Sequence, residues 1–412
     1  MKYQEGILPR RMWVVVALSW VLAGCSTKDN APIDTNFQRE LQTRLIDAKP
    51  GEVIEIPAGR YTLDRSLSLR VSGVTIRGAG MNETVLSFKG QKVGAEGLLV
   101  NASDFTLENV AIEDTRGDAV KVNEGERITL RGLRIEWTDG PSTANGAYGL
   151  YPVRTKQVLI ENCLVIGASD AGIYVGQSED IIVRRNTARL NVAGIEIENS
   201  RRADVYENVV TENTGGVLVF NMPNLPQRGE GARVFRNKIY ANNTANFGAK
   251  GTPVASVPAG SGVVINSNDQ VEIFDNDFTD NATAHVIISS YFSTGYMTEK
   301  GVAEIFDPYP EAIHVHGNRY VGGGNAPDGL DLKALKLAVF GLGGRFPPVL
   351  WDGYVDSKKM QNGNLPPNLA ICVRDVGEVL NADGPGEYRN PKVSRLEHNC
   401  SLASLPPVEL KL

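Results

Sequence analysis

Lys121, Tyr151, Tyr174 and Glu196 each stand two places after a small residue that recurs along the chain, at Ala119, Gly149, Gly172 and Gly194. Asn123 and Glu198 stand four places after theirs, and Asp118, Arg154 and Asp170 lie at the margins. Aromatic rings stack on sugar faces, while hydroxyl, amide and charged groups read sugar hydroxyls and carboxylates. Glu196 and Glu198 alternate with Ile195 and Ile197, so a strand would put both carboxylates on one face about 7 Å apart. That is close to the separation of an inverting glycosidase pair. The same two groups with Asp170 are hard oxygen ligands suited to Ca²⁺. A lyase or epimerase would instead use Lys121 to stabilise an enolate, with Tyr151 or Tyr174 as the base.

His314 and His316 flank Val315, so both imidazoles would leave a strand on the same side. Such a pair suits Cu or Zn, but two ligands do not complete a site, and no metal is assigned to the chain. No C-x-x-C-H is present to attach haem. With 42 Lys+Arg against 48 Asp+Glu, the net charge of −6 leaves no basic footprint for nucleic acid.

The elements that must position these groups are a repeat. The leading residues Gly97, Ala119, Gly149, Gly172, Gly194, Gly216 and Gly262 recur about every 22 residues or at that spacing plus an insertion. Fourteen residues on, Leu133, Cys163, Asn186, Asn208 and Asn276 form a second landmark, joined by Asn237 and Asn318 in their own units. Five residues later come Asn191, Asn213, Asn242 and Asn281. Val and Ile alternate with period 2 within each unit, and no long window carries a helical period. Three short strands and three turns in about 22 residues make one coil of a parallel β-solenoid. The fold class is therefore all-β, a single parallel β-helix. Inward Asn residues at matching turns would hydrogen-bond along the stack, as amide ladders do in cross-β structures. Cys163 takes a ladder position and reads as a packed, inert thiol.

Asn36 followed by Phe37, Leu41 and Leu45 predicts a short capping helix that closes the open end of the coils. The solenoid would run over 37–320, interrupted by Gly- and Pro-rich insertions at 139–148, 222–231 and 246–260 that wall one side. Residues 321–412 lose the period and gain Pro, an irregular C-terminal cap wrapping back along the coils. Cys372 and Cys400 share that stretch and form the expected disulfide, worth roughly 3–4 kcal/mol in the chain-entropy model.

Residues 1–24 combine Lys2, Arg10 and Arg11 with a short apolar run, the pattern of a secretory signal peptide too short to span a bilayer permanently. Leu22-Ala23-Gly24-Cys25 resembles the lipobox of bacterial lipoproteins. The resemblance implies diacylation of Cys25, cleavage before it, and acylation of the new amino group, with residues 25–36 as a lipidated tether. Ser26 after the Cys favours the outer membrane, with the protein facing the periplasm.

The order of a capping helix, IPAGRY and VTIRGAG resembles the opening of the right-handed β-helix superfamily that contains pectate lyases and related polysaccharide enzymes. ASDAGIYVGQS and NVAGIEIENS further resemble a family of bacterial parallel β-helix lipoproteins. The resemblance implies that the parallel β-helix is right-handed. It also implies a polysaccharide partner, or an envelope cytochrome-like protein docked on a non-catalytic scaffold. An exposed apolar patch around Leu218, Phe220 and Val264 would mark that second case. The G-H-G, N-T-D with D-D, and D-P-H motifs of β-helix polygalacturonases and alginate epimerases are missing from the sequence.

Overall fold

Each coil of the chain lays down three short strands, and each strand pairs in parallel with its counterpart one coil later. The computed structural model describes residues 32–294, 302–374 and 377–412. The signal segment and Cys25 lie outside the described residues. The first row of strands includes Ala171–Gly176, Ala193–Glu198, Gly215–Phe220, Ser261–Asn266 and Ala284–Ser289. The second includes Glu179–Arg184, Arg201–Tyr206, Glu230–Phe235, Asp269–Phe274 and Ile313–His316. A third row of ten strands runs from Gly59–Thr62 to Arg319–Val321. The inward Val, Ile and Leu residues of all three rows merge into one buried core. Burial of branched apolar residues every second position is what selects strands over helix here.

The turns explain the asparagines. Arg185, Glu207, Arg236, Asp275 and Gly317 all adopt left-handed backbone, and each immediately precedes a ladder residue. That bend turns the next side chain inward. Asn186, Asn208, Asn237, Asn276 and Asn318 then pass Nδ2–H to Oδ1 bonds along the stack at 3.0, 2.9, 3.0 and 2.9 Å. Asn191, Asn213, Asn242 and Asn281 form a second ladder at 3.0, 2.9 and 3.1 Å. Left-handed backbone costs a non-glycine residue about 1 kcal/mol, which the satisfied amides offset. Cys163 ends the first ladder by donating its backbone N–H to Asn186 Oδ1, and burial pushes its thiol up to about 12.

Thr35–Asp47 is the capping helix. Asp34, rather than Asn36, is its N-cap, because Asp34 Oδ1 accepts the Phe37 N–H at 2.9 Å. Leu41 and Leu45 cover the core, while Gln38 and Gln42 satisfy the open strand edge through Asp64 and Ser68. Strand pairing without such a cover would template another chain.

At the other end the coils continue past the expected boundary at 320. Val349–Trp351 and Val379–Asn381 extend the first row, and Ile371–Val373 extends the second. The period fails in the sequence because an 11-residue helix, Leu330–Phe340, and Pro-rich loops separate these strands. Cys372 and Cys400 are joined by a disulfide. Beyond it the tail runs back over the second row. The backbone N–H groups of Leu405, Val408 and Lys411 donate to Glu272, Asp204 and Gln157 at 3.0, 3.1 and 2.7 Å.

A second apolar cluster lies outside the solenoid. Leu218, Phe220 and Val264 on the first row meet Val254 and Val257 of the 246–260 insertion, with Leu335 and Phe346 further along. Thr143 of the 139–148 insertion donates to the Phe247 carbonyl at 2.8 Å, so these two insertions touch.

Candidate functional site

Strand register builds the site. Tyr151 pairs with Lys121, Tyr174 with Glu196, and the next coil presents Leu218 in line with Glu196. Asn123 pairs with Val153, and Gly176 with Glu198. Alternation turns each of these side chains away from the core. At Gly176 an added Cβ would meet the Tyr174 ring 2.4 Å away, so any larger residue there would displace that ring.

Three tyrosines converge over this surface. Tyr148 lies 4.5 Å from both Tyr151 and Tyr174 between ring centroids, and Tyr151 and Tyr174 meet edge-on at 4.9 Å. Tyr174 donates its hydroxyl to Glu198 Oε1 at 2.6 Å, and the Tyr148 hydroxyl lies 3.5 Å from Asp170 Oδ2. Lys121 stands 4.7 Å over the Tyr151 ring and 3.7 Å from Asp118. At the rim, Arg154 donates to Asn123 Oδ1 at 2.7 Å. Tyr148 was not among the sequence candidates. The signal was available, since it precedes Gly149 as Asp118 precedes Ala119.

Burial decides the electrostatics. It pushes Asp118 up to about 6, with Lys121 pulling the other way. Burial and then the Glu198 charge push Asp170 up to about 7. Glu196, only 3% exposed, is raised well above the usual carboxylate range by burial and then by Asp170 and Glu198. Burial also raises Glu198, while the Tyr174 hydrogen bond opposes it. Asp170, Glu196 and Glu198 therefore all hold protons more tightly than free carboxyls and are coupled through their charges, an arrangement in which one side chain can give a proton while a neighbour accepts one.

Five expectations need correcting. The strip is not an open groove along its length: Tyr174 is 4% exposed, and the first row is covered from Leu218 onward. Neither tyrosine suits a base, because burial raises Tyr174 well above 10 and Tyr151 to about 12. The Lys121 charge is already committed to Asp118 and the Tyr151 face. Asp170, Glu196 and Glu198 do not form a Ca²⁺ cage. Among the described residues the ligand groups that cluster closely enough for an ion are Glu272, His314 and His316, and Asp269, Asp307 and Glu311. Lys359 already occupies the latter set, 2.7 Å from both Asp307 and Glu311. Leu218, Phe220 and Val264 are buried under the insertions, so the apolar docking patch is not exposed.

Residues 71–226 match the family model described as the right handed beta helix region. The solenoid is a right-handed parallel β-helix. No curated protein matches the chain. Solved structures of similar fold include the A-module of a mannuronan C-5 epimerase from Azotobacter vinelandii, 16% identical with a TM-score of 0.47, covering 77% of this chain and 84% of that one. A DFA-IIIase from Arthrobacter chlorophenolicus in complex with GF2 is 12% identical with a TM-score of 0.49, covering 77% and 79%. An alginate lyase in complex with G6 is 13% identical with a TM-score of 0.42, covering 79% and 78%. At such identities the likeness is one of fold.

Two surface cavities of this β-helix lie away from the tyrosines. One of about 270 Å³ is lined by Arg116, Trp137 and Asp139. The other, of about 550 Å³, is lined by Tyr320, Phe340 and Arg345. Neither is lined by any of Tyr148, Tyr151, Tyr174, Asp170, Glu196 and Glu198.

Proposed function

We propose that the tyrosine–carboxylate surface binds a neutral saccharide and supports acid–base chemistry on it. The observation that carries this reading is the convergence of Tyr148, Tyr151 and Tyr174 on the mutually coupled carboxyls of Asp170, Glu196 and Glu198. Glu198 and Asp170 are half-buried and within reach of a ligand, with Asp170 in the acid role and Glu198, held by the Tyr174 hydroxyl, in the base role. Glu196 is too deeply buried to touch a sugar and acts by raising its neighbours' hold on protons. Charge argues for a neutral substrate. Lys121 is paired with Asp118 and Arg154 with Glu124, so neither cation is free to receive the carboxylate of a polyuronate.

A glycan array at pH 6 tests this. Wild type is expected to retain neutral oligosaccharides, with Tyr151→Ala weakening binding about tenfold as a stacking face is lost. Glu198→Gln is expected to keep binding while losing turnover of the retained glycan. An array on which wild type binds no glycan refutes the reading.

The same reading puts the β-helix in the periplasm on a lipid anchor at Cys25, supported by the signal pattern and lipobox. Intact mass of the membrane-extracted protein is expected to show acyl chains on residue 25. Cys25→Ser is expected to abolish both acylation and cleavage, and an unmodified Cys25 in wild type overturns the anchor.

A further inference from the structure

On the second row, away from the tyrosines, strand register assembles three ligand-type side chains. Glu272 pairs directly with His314 on the next coil, and His316 follows two residues later on the same face. The His314 and His316 rings lie 4.2 Å apart, and one donor atom from each of the three residues falls within 4.8 Å of the others. His316 Nε2 and Glu272 Oε1 are 3.0 Å apart. Ligands at zinc bond lengths of about 2.0–2.1 Å in a tetrahedron are separated by roughly 3.3 Å, so this pair is already spaced as an edge of such a polyhedron.

The surroundings hold these groups in place. Phe274 stacks flat under His316 at 5.3 Å and fixes the ring's plane. The Leu405 N–H binds the other carboxylate oxygen, Glu272 Oε2, at 3.0 Å and leaves Oε1 directed at the imidazoles. Hydrogen bonds of this kind orient ligands in metal sites. Glu272 and His314 are both buried, although an unpaired carboxylate is costly to bury. Arg233 stands in register beside Glu272, yet its ion pair is with Asp204 at 3.3 Å and its guanidinium lies over Phe235 and Phe274. The half-buried His316 faces Glu272 Oε1 through its Nε2.

We propose that Glu272, His314 and His316 bind one divalent transition-metal ion of the zinc class, clamping the C-terminal tail onto the coils. Two imidazoles and one carboxylate form a borderline donor set, which favours Zn²⁺ over Ca²⁺ or Mg²⁺. The tail reaches the site twice. Leu405 touches Glu272, and Cys372, in register with His314, carries the disulfide to Cys400. The ion therefore stabilises the strap, and this role does not depend on the saccharide surface.

The test uses the full chain with its disulfide intact, stripped by chelator and titrated with Zn²⁺ alone at pH 7.5 by calorimetry. Co²⁺ serves as a visible-absorption probe of ligand geometry. One ion per chain is expected, with the intense d–d bands of a four-coordinate site. Glu272→Gln keeps an acceptor for Leu405 and is expected to weaken Zn²⁺ binding more than about 100-fold, as is His316→Ala. Circular dichroism checks that each variant is folded. Asp269→Asn, in the group already held by Lys359, is expected to leave the Zn²⁺ affinity unchanged. A folded wild type that takes up no stoichiometric Zn²⁺, or a folded Glu272→Gln that binds it as wild type does, overturns the proposal.

Discussion

Asn208→Ala is expected to lower the melting temperature by at least about 5 °C. Asn208 Oδ1 accepts both the backbone and side-chain N–H of Asn186, and its amide donates to the Val183 carbonyl and to Asn237 Oδ1. Alanine removes all four bonds at a fully enclosed position. The buried Asn186 donors are then stranded at about 1–3 kcal/mol each, for a total near 4 kcal/mol. The ladder continues in both directions, so the loss is not confined to one coil. Thermal unfolding by circular dichroism decides the matter. A fall of under about 2 °C would mean that the ladder amides do not hold the coils in register.

The carboxyl cluster makes the second large effect, and its sign is opposite to that of ordinary surface ion pairs. Asp170 is raised from 3.8 to about 7 in the folded state. Its contribution is therefore fully present below about pH 4 and is lost as pH rises toward 7. Glu196 is raised in the same direction by burial and then by Asp170 and Glu198, so its contribution too is lost as pH rises. Glu161 works the other way. Arg185, Arg184 and Arg131 hold it below the usual range against its burial, so its contribution is lost in acid. Glu196→Gln supplies a neutral side chain of the same shape. Its melting temperature is expected to exceed wild type by at least about 3 °C at pH 8 and to match it at pH 5. Equal melting temperatures at both pH values would show that Glu196 carries no proton demand. Sites that trade stability for function commonly show this pattern.

How much of this was legible in the sequence depends on whether a feature repeats. Asn186, Asn208 and Asn237 announce themselves because one side chain must recur in every coil for the amides to meet. The column Lys121, Tyr151, Tyr174 and Glu196 follows from the same register. The exposure of that column did not follow, because it depends on which coil an insertion folds over. Nothing in residues 246–260 says that Val254 and Val257 land on Leu218 and Phe220. The missing third partner of His314 and His316 was hidden differently. Glu272 lies more than 40 residues earlier, on a strand brought alongside only after residues 282–312 are spanned. The extra coils after 320 escaped because a helix and proline loops separate strands of three residues each.

The apolar cover over the first row has a geometric consequence for any ligand. From Lys121 to Glu196 the surface spans three interstrand steps, roughly 14 Å along the axis. At Leu218 it meets a wall. A polymer aligned with the axis cannot thread past, so on the proposed reading the β-helix receives the terminus of a glycan rather than its middle. That is the shape of a dead-end berth, and it would release short products from chain ends.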